Sequence, residues 1–79
     1  INLESFELVD IREPNETPEL TRPHHKVPMA ECYEVEWQRP TLFVCASGRR
    51  SYRLVADLRA RGVRDVFSLQ GGVESLERD

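Results

Sequence analysis

Thr41-Leu42-Phe43-Val44-Cys45-Ala46-Ser47-Gly48-Arg49-Arg50-Ser51 is the stretch whose reading decides the fold. Four residues of strand character run into a cysteine and a short polar loop, then into an amphipathic stretch that lasts to about Arg61. That order reads as strand, tight loop and helix, with Cys45 at the carboxyl end of the strand. Backbone N–H groups at such a helix start point at whatever sits on the cysteine and favour negative charge there. A thiol in that setting has a lowered pKa and a raised thiolate fraction. Four residues lie between Cys45 and Arg50. The loop is therefore a small cradle, sized for about one extra atom on the sulfur.

Downstream of the loop, Leu54, Val55 and Leu58 share one helical face, Arg53, Asp57 and Arg61 lie elsewhere, and Gly62 supplies a stop, which predicts a helix over 51–61. Asp65-Val66-Phe67-Ser68 reads as a strand, Gly71-Gly72 as a turn, and Val73 to Glu77 as the start of a final helix. Upstream, Phe6 to Ile11 is a short buried strand closed by the turn residues Arg12-Glu13-Pro14-Asn15. Residues 13–25 are polar, carry Pro14, Pro18 and Pro23, and are expected to be loop. Lys26-Val27-Pro28 suits a very short strand at an edge. Tyr33, Val35 and Trp37 alternate as a strand would, whereas Ala30 and Glu31 after a proline suit a helical turn; we read 29–37 as a short helix ended by Arg39-Pro40.

Strands alternating with helical segments imply a small α/β domain, with a mainly parallel sheet of four to five strands and helices on both faces. Ligands of such sheets bind beyond the carboxyl ends of the strands. Asp10-Ile11-Arg12, Cys45 and Gln70-Gly71-Gly72 all fall there and are expected to converge.

Seventy-nine residues make one domain, residues 1–79, with a modest core. The start at Ile1 rather than Met suggests a fragment of a longer chain. No apolar run approaches the roughly 20 residues of a membrane span, and no secretory signal is visible. Two cysteines, Cys32 and Cys45, are few for a stapled secreted domain, so a reducing cytoplasm is the expected location. Net charge is −3, but unevenly spread. Residues 1–36 hold nine acids and three bases; residues 37–64 hold seven arginines and one acid, Asp57. The basic segment surrounds the cysteine loop and would attract an anionic substrate or an acidic partner. Arg49, Arg50 and Arg53 lie near the loop, whereas Arg59, Arg61 and Arg64 are expected on a solvated helix face. A nucleic-acid surface is not indicated, because the chain is acidic overall and no aromatics interleave the arginines.

Three blocks carry a family resemblance: Leu8-Val9-Asp10-Ile11-Arg12-Glu13-Pro14, Phe43 to Ser51, and Val66-Phe67-Ser68-Leu69-Gln70-Gly71-Gly72-Val73. In this order and spacing they resemble the rhodanese (sulfurtransferase) family over most of the chain. The resemblance implies a small α/β domain whose cysteine accepts a sulfane sulfur, becomes a persulfide and passes the sulfur on. The wording of the blocks looks like the single rhodanese domain at the C-terminus of ubiquitin-activating-like adenylyltransferases that serve molybdopterin, thiamine or thiolated-tRNA synthesis, although stand-alone rhodaneses look similar at this length. The family's His-Ile-Pro-Gly-Ala-like stretch has only His25-Lys26-Val27-Pro28-Met29 as an echo, within a shortened segment from Thr17 to Met29.

The resemblance makes Cys45 the nucleophile, in place of the merely buried cysteine that is common for this residue type. Ala46, Ser47, Gly48 and Arg49 would supply N–H donors around the persulfide, and Gly48 allows the curvature. Arg50 would fix the loop or neutralise the bound anion. Arg49 would meet substrate at the rim or be solvated, and Ser51 would cap the helix start. Asp10 and Arg12 are expected to support the loop by charge pairing. Cys32 reads as a packed side chain, His24 and His25 as surface loop without a metal, and Tyr33 and Trp37 as packing. No cofactor is implied. Thiosulfate or a persulfide donor protein would supply the sulfur, and a ubiquitin-like sulfur carrier or a fused adenylyltransferase domain would be the partner. A docking module without catalysis is the alternative. A phosphatase or arsenate reductase is less favoured, because those relatives have a loop one residue longer and the residue six after Cys45 is Ser51, not arginine.

Overall fold

Thr41–Val44 is buried at every position, as a strand covered on both faces must be. The computed structural model describes residues 5–13, 15, 16, 20 and 22–73. In chain order the elements are strands β1 (Glu7–Asp10) and β2 (His25–Lys26), helix α1 (Met29–Cys32), strand β3 (Thr41–Val44), helix α2 (Arg49–Ala60) and strand β4 (Val66–Ser68). The strands form one sheet in the order β2-β1-β3-β4, and every pair is parallel. The α/β class, the parallel sheet and four strands are therefore as the sequence predicts.

Register divides the core into two faces. Val9 lies beside Phe43, and Thr41 beside Val66. That face meets Cys32, Leu54, Val55 and Leu58 of α1 and α2. Leu8 lies beside Leu42 on the opposite face, which is covered by Leu20 and Val73 together with Phe6 and Leu69. A buried leucine of this kind contributes about 1.5–3 kcal/mol through loss of apolar surface from water. Helix α2 buries Ser51, Leu54, Val55 and Leu58, a spacing of three and four that puts all four on one stripe. It ends at Ala60, and Gly62 with its positive φ is the stop just beyond, as expected. Gly62 N–H donates to Arg59 O at 3.0 Å and Val63 N–H to Leu58 O at 3.0 Å, which satisfies two carbonyls of the last turn.

The differences from expectation lie at element ends. β2 is His25–Lys26, so His25 belongs to the sheet and not to a loop. Its ring stands 3.6 Å from Glu7 of β1. Val27 N–H still donates to Asp10 O, and Pro28 then starts α1. α1 is one turn and stops at Cys32, because Trp37 folds back. Its indole N–H donates to Cys32 O at 3.0 Å, and its ring meets Phe43 edge-on at 5.0 Å. Arg59 and Arg61 are not merely solvated. The Arg59 guanidinium donates to Val66 O and lies over Phe67, and Arg61 lies over Tyr33. The helix expected from Val73 to Glu77 lies, beyond Val73, outside the described residues, as do several positions of the 13–25 loop. Among the described residues, no helix is long and apolar enough to cross a membrane.

Candidate functional site

Cys45 follows β3 directly and has no exposed surface. The chain leaves the strand, turns through Ala46 and Ser47, and enters α2 at Gly48, whose φ of 97° is left-handed. A Cβ there would crowd Gly71 N and Leu69 O at 3.1 Å, so glycine is required twice over. This turn folds the first N–H groups of α2 back onto the sulfur. Gly48 N–H donates to Cys45 Sγ at 3.1 Å and Ser51 N–H at 3.4 Å. Burial alone would raise the thiol's pKa. Hydrogen bonds from the Ser51 hydroxyl and from the backbones of Ser51, Gly48 and Ser47 outweigh it, and the pKa is lowered.

Ser51 is not the helix cap that its sequence position suggests. α2 begins two residues earlier, at Arg49, and Tyr52 N–H donates to Gly48 O. Ser51 sits inside the first turn, fully buried, with its hydroxyl 3.5 Å from Cys45 Sγ, 3.3 Å from Gly48 O and 2.6 Å from Ser68 Oγ. Ser68 was not among the residues expected at the site. The signal was present in the alternation of β4: Ser68 shares a face with the buried Val66, and a polar side chain on a core-facing position asks for a partner.

Arg50 is held from the opposite side. Its Nη1 and Nη2 donate to Glu16 Oε2 and Oε1, both at 2.8 Å. Those hydrogen bonds bring Glu16 down to about 2, and Arg50 is raised by Glu16 and further by Cys45. Glu16 was missed because nothing local marks a pairing across 34 residues. Glu16 is itself fixed by the turn expected after β1, in which its N–H donates to Glu13 O and its carboxylate accepts from Glu13 N–H.

The two flanking segments do converge on the loop. Ile11 N–H donates to Val44 O, and Val73 N–H donates to Cys45 O at 2.9 Å. An added Cβ on Gly72 would run into the carbonyl oxygens of Cys45 and Ala46. Asp10 and Arg12 form a buried two-pronged pair at 3.0 and 3.1 Å, with Lys26 Nζ 3.6 Å from the same carboxylate. Burial opposes the Asp10 charge, but the hydrogen bonds from Arg12 and the charges of Arg12 and Lys26 prevail and lower its pKa.

Two hollows flank the loop and meet at exposed Arg49. One is lined by Met29, Tyr33, Arg50, Arg53 and Asp57, the other by Ser47, Gly48, Tyr52, Ser68 and Gln70. Tyr33 is more than packing, since its hydroxyl donates to Asp57 at 2.7 Å. Cys32 is free, buried and bonded through Sγ to Val27 O, and burial raises its thiol to about 12. Among the described residues, no cluster of three histidine, cysteine or acidic side chains could hold a metal.

No protein-family model matches the chain. It is 36% identical over 77 residues to a protein of Allochromatium vinosum named sulfurtransferase, which covers 90% of this chain and 71% of that protein. It superposes on a rhodanese homologue from Thermus thermophilus with a TM-score of 0.72 and 34% identity, over 90% of this chain and 83% of that one. A rhodanese-related protein from Thermoplasma volcanium gives 0.76 and 26% identity, over 94% and 78%.

Proposed function

This chain belongs to the rhodanese-like sulfurtransferase family, and on that premise we propose that Cys45 carries a sulfane sulfur as a persulfide. The observation that carries the reading is the convergence of Gly48 N–H and Ser51 N–H on Cys45 Sγ, with the Ser51 hydroxyl 3.5 Å from the same sulfur. Donors aimed at one sulfur at a helix start favour the thiolate, which is the attacking species. They would also favour the negative charge of a persulfide anion one atom further out.

The reaction has two displacements. Cys45 thiolate attacks the outer sulfur of a donor; with thiosulfate, the new S–S bond forms as the old one breaks and sulfite leaves with the bonding pair. An acceptor, a thiophile such as cyanide or a nucleophile on a partner protein, then attacks the outer sulfur, and Cys45 leaves as thiolate. Arg49, exposed between the two hollows, would meet the incoming anion. Arg50 holds its charge beside the sulfur while anchored to Glu16. A persulfide donor protein would serve in place of thiosulfate with the same bond changes.

Intact mass tests this. After reduction and brief exposure to thiosulfate, the protein should gain one sulfur atom, lost as thiocyanate on adding cyanide, and Cys45→Ser should gain none. If neither thiosulfate nor a cysteine-desulfurase persulfide loads the protein, the sulfur-carrier reading is wrong and the domain is a docking module.

A further inference from the structure

The Ser51 hydroxyl has one proton and three acceptors within reach: Gly48 O, Cys45 Sγ and Ser68 Oγ. Its shortest contact, 2.6 Å, is to Ser68, and either oxygen can donate in that pair. The direction of that bond decides what Cys45 meets. If Ser51 donates to Ser68, its oxygen lone pairs face the sulfur and suit a thiol. If Ser68 donates to Ser51, the Ser51 proton is released from Ser68 and is left to Gly48 O and Sγ, between which a thiolate is the stronger acceptor.

We propose that Ser68 is a positioning residue for Cys45, which sets the direction of the Ser51 hydroxyl and gives the thiol proton a way out. Ser68 is half-buried at the end of β4 and lines the hollow beside Ser47, Tyr52 and Gln70. In the thiol state the chain of donors runs outward, from Cys45 S–H to Ser51 Oγ, from Ser51 O–H to Ser68 Oγ, and from Ser68 O–H to water in the hollow. Ionisation passes one proton along each link. The thiol proton goes to Ser51, the Ser51 proton to Ser68, and the Ser68 proton to water. The result is the reversed chain, in which Ser68 donates to Ser51 and Ser51 donates to the thiolate. No atom needs to move by more than a hydrogen-bond length, and the accepting base is water, not a protein side chain.

The elements packed on Cys45 carry few competing groups. α2 contributes Arg50, α1 contributes Cys32, and β1 ends in the Asp10–Arg12 pair. β4 contributes no titratable side chain. The inference rests on Cys45 as the reactive thiol of the proposed function, so its test reads ionisation separately from sulfur transfer.

The experiment is the pH profile of iodoacetamide alkylation, followed on the Cys45 peptide by mass, for wild type, Ser68→Ala, Ser68→Thr and Ser68→Val. Ala and Val should move the midpoint upward by about one pH unit, a tenfold loss of thiolate at a given pH below it. Thr, which keeps the hydroxyl, should stay near wild type. Thr and Val have nearly the same shape, so a difference between them is chemical and not a packing effect, even if Ala folds poorly. Equal midpoints for Thr and Val would overturn the role of Ser68. Sulfur loading from thiosulfate, measured alongside, keeps the two readings apart. If Ser68→Val leaves the midpoint unshifted while wild type loads sulfur, only the Ser68 role falls; if Ser68→Val shifts the midpoint while wild type never loads, only the carrier reading falls.

Discussion

Arg50 and Glu16 face each other fork to fork, with both N–O distances at 2.8 Å, and this ties the first turn of α2 to the turn after β1. Arg50 is 41% exposed and Glu16 28%, so solvent screens the pair. Its net worth is about 1 kcal/mol. The sign of its pH dependence follows from Glu16, whose folded pKa of about 2 lies below its unfolded value near 4.5. The stabilisation is fully present above 4.5 and is lost as pH falls toward 2. Glu16→Gln should therefore lower the urea midpoint at pH 7, and the difference from wild type should shrink steadily between pH 4.5 and 2. A difference that stays constant over that window would show that Glu16 does not gain its stability from ionic pairing.

The same guanidinium holds positive charge beside Cys45. Arg50→Gln should slow alkylation of Cys45 at pH 7 several-fold, and Glu16→Gln should slow it less, because it releases the arginine without removing its charge. Equal slowing by both would mean that loop geometry, and not charge, carries the effect.

Asp10 and Arg12 are 0% and 1% exposed, and the carboxylate pairs with the buried guanidinium through two hydrogen bonds. Asp10→Asn leaves that cation under-compensated, which should destabilise the fold by about 3–5 kcal/mol. An apolar double replacement, Asp10→Leu with Arg12→Met, removes both charges and should recover much of the loss. Chemical denaturation measures both. A single substitution costing under about 1 kcal/mol would show that Arg12 does not depend on the Asp10 charge for its compensation.

Gly72 and Gly62 give a controlled contrast. Both have positive φ, 67° and 94°. A Cβ on Gly62 meets nothing within 4 Å, whereas one on Gly72 strikes the backbone carbonyls of Cys45 and Ala46. Gly62→Ala should cost about 1–2 kcal/mol, the left-handed penalty alone. Gly72→Ala should cost more and should also disturb Cys45, whose carbonyl accepts from Val73 N–H. Equal costs, with Cys45 alkylation unchanged, would refute the claim that the Gly71-Gly72 turn braces the loop.

Much of this arrangement was legible in the chain. The run Thr41 to Val44 declares a buried strand, and the stripe Leu54, Val55 and Leu58 declares the face of α2. The three blocks at strand ends converge because parallel strands bring their carboxyl ends to one side of the sheet. What escaped was of two kinds. The start of α2 was misplaced by two residues, because Gly48 in a left-handed conformation does the work at the helix start and Ser51 is freed for the sulfur. Glu16 and Ser68 escaped because their roles depend on contacts across the fold. Glu16 reaches over 34 residues to Arg50, and Ser68 over 17 to Ser51. No local pattern encodes such a distance, although the inward register of Ser68 hinted at a partner.

The two cysteines should separate cleanly by reactivity. Both are free and buried, and both lie in the same apolar cluster. Burial pushes each thiol up, and only Cys45 has hydrogen-bond donors that overturn the effect. Cys32 has a carbonyl acceptor at Val27 O and the nearby charge of Glu31, and it is driven to about 12. At pH 7 the thiolate fraction of Cys32 is then about one in 100,000. Iodoacetamide should label Cys45 in the folded protein and leave Cys32 untouched until denaturant is added. Cys32→Ala should keep the Cys45 rate while losing about 1 kcal/mol or more of stability through lost packing. Labelling of Cys32 at a rate comparable to Cys45, under conditions where the fold is intact, would mean that the donors around Cys45 Sγ do not set its reactivity.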